Sequence, residues 1–565
     1  MELRPRPHRL PRQHLGHLPL RQRHHQWPRR RPRRLDHRHH LQRQHRSQRR
    51  LPTIHSPIHN FCFRSFSQTF GVQTSDFSTE EFSGFLQDRW RPSETLSLTA
   101  GLRYEYELLP IPQRPNSAVD AVFSARGATS VFPEDRNNFG PRVAAAWQPF
   151  GDRRGTVRVA YGLYFGRLPG ATVRSALVDT ALATSATRIR ILPTTITDCP
   201  QVANQGFGYP CAFTSTPPFS IASTTSIAVF DRRFRLPEIQ QGSFSLERDL
   251  GHVALVSASY LLNLDRQLPN SVDINIAPST GTRTFQLQGG TGALGVSDGE
   301  TFVLPLYTQR LSSSFGPVTA ITSNANATYN ALVLAARHRT HAGLEFRASW
   351  TWSKSIDFGQ NSGSIPRTNS QLDPFNIRYD KSLSAHNFPH KIVASAVWQP
   401  TPSFISPLLQ HLASGWLLAP LFTETSGRPY SYNIFGGTRL SGGHQSINGC
   451  GGDLYLPTVG RNTLRLPDTF NLDLRLSRDL HLRENLHLHA FVEAFNLTNR
   501  VNYSAVTQRA FLVGTPTNGI TPLIFQDAAA VASEGLNTRP FGAFTSSSSQ
   551  QTKERQLQLG LRLDF

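Results

Sequence analysis

The segment 486–496 carries the residues best suited to metal chemistry. His487, His489 and Glu493 occupy odd-numbered positions in it, and imidazole and carboxylate groups are ligands for transition metals. The even-numbered positions are apolar, so two-residue periodicity places the three polar side chains on one face of a strand. Polar residues are expected on the inner face of any β-barrel. We therefore predict that the chain has no metal site. If it had one, these three residues would be the candidate ligands.

Two motifs within 290–299 resemble cofactor and catalytic motifs. Gly290–Gly295 matches the dinucleotide fingerprint, which needs a helix to follow it and meet the pyrophosphate, and Gly299 interrupts that stretch. Gly295–Gly299 matches the nucleophile elbow around Ser297, which needs a strand-turn-helix setting and a downstream acid and histidine. We interpret both as parts of a flexible loop rich in Gly and Ser. The sequence predicts no catalytic residue, no cofactor and no enzyme activity.

Four cysteines are few for 565 residues. Cys199 and Cys211 lie close together in a stretch rich in Pro, Thr and Ser, which fits a disulfide in an oxidising, extracytoplasmic compartment. Cys62 and Cys450 have no evident partner. The alternative, that all four are unpaired, stays open.

The positive charge is concentrated at the start of the chain. Of the formal net charge of +21, residues 1–50 contribute +14, through sixteen Arg against Glu2 and Asp36. This Arg/His/Pro-rich tail lacks the apolar core of a secretory signal. It is typical of a disordered, polyanion-binding segment, or of DNA translated in a wrong frame. We favour the second interpretation, expect the true N-terminal region to be missing, and expect no nucleic-acid partner.

Two-residue periodicity predicts thirteen strands. The clearest, 95–108, alternates Leu, Ala and Tyr with Ser, Thr, Gly, Arg and Glu. The sequence has no run of eighteen apolar residues for a helical membrane span, whereas a barrel needs only every second residue to be apolar. The predicted strands are 81–91, 95–108, 142–148, 156–166, 241–248, 253–264, 329–339, 344–354, 388–399, 415–424, 469–478, 486–496 and 556–565.

The connections between these strands alternate strictly in length. The short ones are 92–94, 149–155, 249–252, 340–343, 400–414 and 479–485, and the long ones are 109–141, 167–240, 265–328, 355–387, 425–468 and 497–555. Transmembrane barrels have tight periplasmic turns and extended extracellular loops. The pattern therefore predicts an all-β protein, a transmembrane antiparallel β-barrel lying in outer-membrane lipid of the Gram-negative type.

Tryptophans mark both ends of the predicted strands. Tryptophan rings favour the two interfaces of a bilayer, where they form girdles around a barrel. Six of the seven tryptophans lie at strand ends. Near the short turns these are Trp90, Trp147, Trp398 and Trp416, and before a long loop they are Trp350 and Trp352.

The last strand resembles the assembly signal of outer-membrane barrels. Its apolar residues alternate with polar residues or glycine up to the end of the chain. An apolar outer face that ends in an aromatic residue predicts recognition by the barrel-assembly machinery, with the terminus in the periplasm. The residues of this signal are Leu557, Leu559, Leu561, Leu563 and Phe565.

The strand count leaves a gap at the start of the barrel. The strand 81–91 runs towards a short turn, whereas a barrel with both ends in the periplasm begins with a strand that runs outward. A strand in the transitional segment 51–80, around Phe61, Phe63 and Phe66, would give fourteen strands. The alternative is that several strands are missing upstream.

Recurring phrases along residues 81–565 resemble the barrel of Oar-like TonB-dependent transporters. The resemblance rests on the whole set of phrases and their order along the chain, because each phrase alone is weakly specific. The resemblance does not extend to the N-terminal region, where the family's signal peptide, small sandwich domain, plug and TonB box are not seen. The phrases are Phe85–Trp90, Gly101–Glu105, Asn138–Arg142, Val159–Leu163, Tyr329–Leu332, Trp350–Ser355, Gly415–Leu418, Ser426–Pro429, Gly460–Asn462 and Glu493–Asn499.

The resemblance implies a receptor whose extracellular loops capture a ligand. In that family a plug fills a barrel of about 22 strands, and TonB pulls on the plug to admit cargo. This chain would supply the loops and part of the barrel, while the plug and its contact with TonB belong to the intact parent. Siderophores, glycans and peptides all stay open as ligands. The alternative is a surface or adhesion barrel without active uptake.

Overall fold

The computed structural model describes residues 66–70, 76–182, 187–191, 223–225, 227–251, 254–340, 343–359, 371–403, 405–437, 446–451, 455–483, 486–533, 539–547 and 554–565. Several sequence predictions concern other parts of the chain. The residues outside the described ranges include the tail 1–50, Phe61, Cys62, Phe63, Cys199 and Cys211.

The largest sheet of the described residues has sixteen strands, and thirteen of them, which we call the wall, pair antiparallel with their neighbours in chain order. All thirteen predicted strands are present. Several are longer than predicted, most of all β6 and β7, which stay paired beyond their alternating segments. The wall strands are β1 (Glu80–Ser93), β2 (Leu96–Leu108), β3 (Phe139–Trp147), β4 (Gly155–Phe165), β5 (Glu238–Asp249), β6 (Leu255–Asp273), β7 (Val318–Arg339), β8 (Leu344–Asp357), β9 (His390–Trp398), β10 (Trp416–Thr425), β11 (Thr469–Arg483), β12 (Leu486–Phe495) and β13 (Gln556–Asp564).

The register gives the wall an apolar face, which we call the outer face. Directly opposed residues of an antiparallel pair point to the same side of the sheet. Leu332 of β7, for example, is opposed by Tyr260 on β6 and by Trp352 on β8. Followed across all strands, this pairing places six tryptophans on the outer face: Trp90, Trp147, Trp350, Trp352, Trp398 and Trp416.

The opposite, inner face of the wall carries paired charges. On β2 the Arg103 Nε lies 2.8 Å from Glu105 Oε1. Between β11 and β12 the Arg475 Nη1 lies 3.1 Å from Glu493 Oε1. Exposed ion pairs of this kind stabilise a fold only weakly. They do give this face the polarity that is expected of a barrel interior.

The six long connections extend from one end of the wall, the loop end. They are loop 1 (109–138), loop 2 (166–237), loop 3 (274–317), loop 4 (358–389), loop 5 (426–468) and loop 6 (496–555). Further strands are Phe66–Phe70, Gly127–Ala128, Thr187–Ile191, Ser223–Thr225, Ile227–Asp231, Gly281–Gln288, Thr301–Leu306, Ser382–Leu383, Pro429–Tyr430, Asn433–Phe435, Leu464–Arg465, Ala505–Val506, Arg509–Val513, Ile520–Phe525 and Phe544–Ser546.

Among the described residues the helices are few and short. They are α1 (Ser117–Phe123), α2 (Gly170–Val178), α3 (Pro407–Ala413), α4 (Ala528–Ser533) and a 3-10 helix at Ile377–Asp380. In the part of the chain that the structure describes, none is long and apolar enough to cross a membrane.

The other end of the wall, the turn end, is closed by short connections, and two of them require glycine. Gly343 and Gly415 have φ angles of +75° and +79°, which other residues adopt only with strain. A Cβ at Gly343 would lie 2.2 Å from the Gln399 carbonyl oxygen, and one at Gly415 would lie 2.4 Å from the Asp479 oxygen. The backbone therefore approaches its neighbour too closely for any side chain.

The buried apolar core lies in the loops rather than in the wall. The largest cluster joins loops 3, 4, 5 and 6 around Phe285, Leu372, Tyr432 and Phe511. Two smaller clusters join loops 1 and 2 with the outermost part of β7. Most large apolar side chains of the wall are exposed or half-buried instead, as a face in contact with lipid requires.

Within the described residues the wall has two free edges. β1 pairs only with β2, β13 only with β12, and both strands run from the loop end to the turn end. Joining these edges directly would make a parallel pair in an antiparallel sheet. The strand Phe66–Phe70 pairs with Thr187–Ile191 in a separate sheet. Phe66–Phe70 therefore pairs outside the wall, and the possible further strand around Phe61 and Phe63 lies outside the described residues and stays a prediction.

Candidate functional site: the folded loops and the inner face of the wall

A buried arginine ties loops 4 and 5 to the wall. Arg461 Nη2 donates to Asp357 Oδ1 at the end of β8, at 2.7 Å, and to the carbonyl oxygen of Asp380, at 2.6 Å. The Arg461 and Asp357 side chains are only 10% and 6% exposed. A buried ion pair must recover a large desolvation cost, and the additional hydrogen bonds help to do so. These bonds fix the position of both loops relative to β8.

A second buried contact joins loops 3 and 4. The Tyr307 hydroxyl donates to Asp373 Oδ1 at 2.7 Å. Burial and the neighbouring carboxylate raise the pKa of Tyr307 far above its usual range, so the phenol stays a neutral donor. Loops 3 to 6 thus form one folded body with fixed polar contacts, and a surface built in this way can hold a ligand in a defined pose.

A pocket of about 560 Å³ opens beside the loop ends of β1 and β2. Leu109 and Leu177 form part of its apolar lining, and Glu80 and Arg114 add opposite charges. Asp179 follows Val178 of this pocket, and burial raises the pKa of the Asp179 carboxyl to about 6 against the opposing effect of Arg174. The pocket therefore combines apolar surface with charges of both signs.

A trough of about 490 Å³ crosses the inner face from β1 to β7. The Arg142 guanidinium stacks on the Tyr164 ring at 4.3 Å, and both side chains line the trough with Asn263 and Tyr329. Arg142 Nε and Asn263 Oδ1 are buried and have no hydrogen-bond partner among the described residues. Unpaired buried polar atoms are costly, so this part of the inner face is less stable than a fully paired surface would be.

The three metal candidates share the inner face of β12, but other groups engage them. Nδ1 of His489 contacts Asp479 Oδ1, and its Nε2 lies 3.1 Å from Asp564 Oδ2. Glu493 is paired with Arg475, and His487 is opposed by Asp564 in the register. Across the described ranges no group of three or more His, Cys, Asp or Glu is arranged to hold a metal ion.

The four leucines of the predicted assembly signal lie together on the outer face of β13. They are opposed by the apolar residues Leu488, Ala490, Val492 and Ala494 of β12. Their side chains are between 50% and 78% exposed, and Phe565 follows them at the free end. The strand therefore presents the predicted apolar face, and its role in assembly stays a prediction.

The two glycine motifs lie in loop 3, between the strands Gly281–Gln288 and Thr301–Leu306. The chain makes successive turns there, and Val296 packs in the loop core. Asp298 Oδ1 accepts a hydrogen bond from the Gly289 N–H at 2.7 Å. No helix lies in this fully described loop, so neither motif has the setting that its chemistry requires.

Cys450 is buried in loop 5. It packs with Ile276 and Tyr307, and its Sγ lies 3.2 Å from the Leu372 carbonyl oxygen. It therefore acts as a small core residue. The predicted pair Cys199 and Cys211 lies outside the described residues and stays a prediction.

Sequence reasoning missed the residues that fix the loops and line the trough. In the sequence, Arg461 stands out only as part of the phrase Gly460–Asn462, and Arg142 only as part of Asn138–Arg142. A charged residue inside a recurring phrase of a loop is itself a signal, because loops tolerate variation where nothing holds them. Their partners could not be found, since Asp357 and Tyr164 are distant in sequence.

A family model described as "Outer membrane beta barrel domain" matches residues 56–558. Among curated proteins, no sequence matches this chain. Solved structures do resemble it at low identity. The outer membrane transporter YddB from Escherichia coli has a TM-score of 0.43 and 13% identity, with 75% of this chain and 42% of that chain covered.

Two further solved structures give similar values. The FrpB iron transporter from Neisseria meningitidis has a TM-score of 0.39 and 12% identity, and 86% of this chain and 45% of that chain are covered. The copper transporter OprC has a TM-score of 0.37 and 10% identity, with 86% and 49% covered. The chain thus spans less than half the length of these transporters.

Proposed function

Because the chain belongs to the outer membrane beta barrel domain family, we propose that it forms the wall and the extracellular loops of a TonB-dependent receptor that captures a ligand and takes it up. Its place is the outer membrane of a Gram-negative-type cell, where the outer face of the wall meets lipid. The family membership covers residues 56–558. Ligand capture and energised uptake are the parts that we propose.

The observation that carries the proposal is the folding of the loops into a body with its own core. Loops 3, 4, 5 and 6 share thirteen buried apolar residues. Ordering long loops costs conformational entropy, which an ordinary surface connection has no reason to incur. A rigid surface reduces the entropy that is lost when a ligand binds. We infer that these loops hold the ligand at the extracellular mouth.

The inner trough supports a second element of the proposal. A plug supplied by the intact parent would cover the inner face, and its polar groups would contact the Arg142 and Tyr164 side chains that line the trough. TonB would then act on the plug, as the resemblance to Oar-like transporters implies. This contact with TonB is not a property of the wall or the loops.

The second candidate function is surface attachment without uptake. The exposed apolar residues of the loops favour it, among them Ile111, Leu294 and Val501 at 79%, 72% and 58% exposure. Such residues suit contact with another macromolecule. The two functions differ in whether bound material enters the cell.

The test uses the native host, with the intact gene deleted and then restored. Labelled ferric siderophore, oligosaccharide and peptide are supplied in turn, with and without a protonophore. We expect one of the three to accumulate only in the restored strain, and the protonophore to abolish accumulation but not surface binding. Surface binding that is never followed by energy-dependent accumulation would contradict uptake and support attachment.

A further inference from the structure

A groove of about 710 Å³ opens on the outer face of the wall, close to the loop end. Its floor is Leu332 of β7, which is flanked in the register by Tyr260 and Trp352. Trp352 is 55% exposed, so its ring stands out from the sheet beside the groove. The groove thus lies on the lipid side of the wall, at the height of the aromatic residues near the extracellular interface.

Two cations and no carboxylate are found among the described residues that line this groove. Lys354 is two residues beyond Trp352 on the same face of β8, which places it about 7 Å nearer to the loops. Arg465 enters from loop 5. Lys354 is one of only four lysines in the sequence, so a lysine at this site is unusual for the chain.

Both cations are available to a ligand. Arg465 Nη1 donates to the carbonyl oxygens of Asn387 at 2.8 Å and Gly427 at 3.4 Å, which hold the guanidinium in place. Asp468 acts on Arg465 electrostatically, but its Oδ1 already accepts from the Gly427 N–H at 2.9 Å. Within the described part of the chain, no ion pair or hydrogen bond engages the Lys354 ammonium.

The side of the groove nearest the loops is fixed to the sheet. Ser353 donates its hydroxyl to the Phe388 carbonyl oxygen at 2.7 Å, and the Ser353 N–H donates to Pro389 at 2.8 Å. Asn387 Oδ1 accepts from the Ser355 N–H at 2.9 Å. The end of loop 4 is therefore bound to β8, and the groove is a built feature rather than a gap beside a free loop.

We propose that this groove binds a phosphate-bearing lipid of the surrounding leaflet. One acyl chain lies against Leu332 and Trp352, and the headgroup phosphate is held between Lys354 and Arg465. The position on the lipid-facing side supplies the acyl chain, and the two cations supply charge complementarity to the phosphate. This lipid would orient loops 4 and 5 at the membrane surface, independently of any cargo that the loops capture.

The proposal is tested by native mass spectrometry of the full chain in detergent. The probes are bisphosphorylated lipid A and its dephosphorylated form with the same acyl chains. We expect the protein to retain the phosphorylated lipid at least about fivefold better, which corresponds to about 1 kcal/mol. Lys354→Gln should abolish most of this preference. Lys391→Gln is the matched control, since Lys391 lies on the inner face of β9.

Two further variants separate the contribution of the groove to lipid binding from the contribution of the charges. Leu332→Trp fills the floor and should lower retention of both lipids, whereas Arg465→Lys keeps the charge and should preserve the preference. Inorganic phosphate should not displace the lipid. Equal retention of the two lipids by the unchanged protein, an equal effect of Lys391→Gln, or displacement by inorganic phosphate would each overturn the proposal. None of these outcomes bears on cargo uptake, so the two proposals fail separately.

Discussion

The Phe491 ring lies directly over Gly560, on the inner face where β12 pairs with β13. The two residues are opposed in the register, and a Cβ built on Gly560 would lie 2.1 Å from the Phe491 ring. The Arg475 guanidinium also lies over this ring, at 4.7 Å from its centre. The last strand is therefore held by a stack that only glycine permits.

Gly560→Val should weaken the attachment of the last strand. The added side chain must displace Phe491 and its arginine, which we expect to cost about 1–3 kcal/mol. The measurement is the urea midpoint of unfolding in detergent, followed by heat-modifiable migration on gels. Gly84→Val on β1 is the control, because no described atom lies within 4 Å of a Cβ there. Equal midpoints for the two variants would contradict the stack.

Arg461→Met should loosen loops 4 and 5. It leaves the Asp357 carboxylate buried without its partner, a change that typically costs about 3–5 kcal/mol. Limited proteolysis should then cut within loops 4 and 5 before the wall unfolds. Arg153→Met at the exposed pair with Glu94 is the control, and we expect it to change stability by less than about 1 kcal/mol. Unchanged protease resistance of Arg461→Met would show that the core alone orders the loops.

Asp179, in loop 2, should make the stability of the protein depend on pH. Burial raises the pKa of its carboxyl to about 6, so between about pH 4 and 6 the folded state binds more protons than the unfolded state. Its contribution to stability is therefore present at low pH and is lost as pH rises through 6. Asp179→Asn should remove this loss, and it should be more stable than the parent at pH 7.5 by about 1–2 kcal/mol.

The measurement for Asp179 is the free energy of unfolding at pH 4.5 and 7.5 for the parent and the variant. Glu554→Gln, at an exposed carboxyl of loop 6, is the control for the removal of one negative charge. A pH profile of Asp179→Asn that coincides with the parent's would contradict the effect of burial on this carboxyl.

Cys450 should not react while the protein is folded. Its side chain is 4% exposed and lies within the loop body. In a Cys62→Ser, Cys199→Ser, Cys211→Ser background, a maleimide should label the thiol only after unfolding. Arg461→Met in the same background should speed the labelling, because it loosens the loops that cover the thiol. Rapid labelling of the folded parent would show that this core opens readily.

The sequence by itself determined the strands of the wall and their two faces. A strand between lipid and a polar interior must alternate at every second position, and that requirement can be read from a few neighbouring residues. Leu96 to Leu108 shows this clearly. For the same reason the six end-of-strand tryptophans could be assigned to the ends of strands, and the register then placed them on one face.

Only the tertiary structure decided what the loops do. Arg461 meets Asp357, and Gly281–Gln288 pairs with Ile520–Phe525, through contacts between segments far apart in the chain. It also showed that Phe66–Phe70 pairs with loop 2 rather than with β1. These contacts repeat at no fixed period, because a dry core constrains shape and volume rather than spacing. Local sequence therefore fixed the wall, and the three-dimensional packing fixed the loops, the trough and the outer groove.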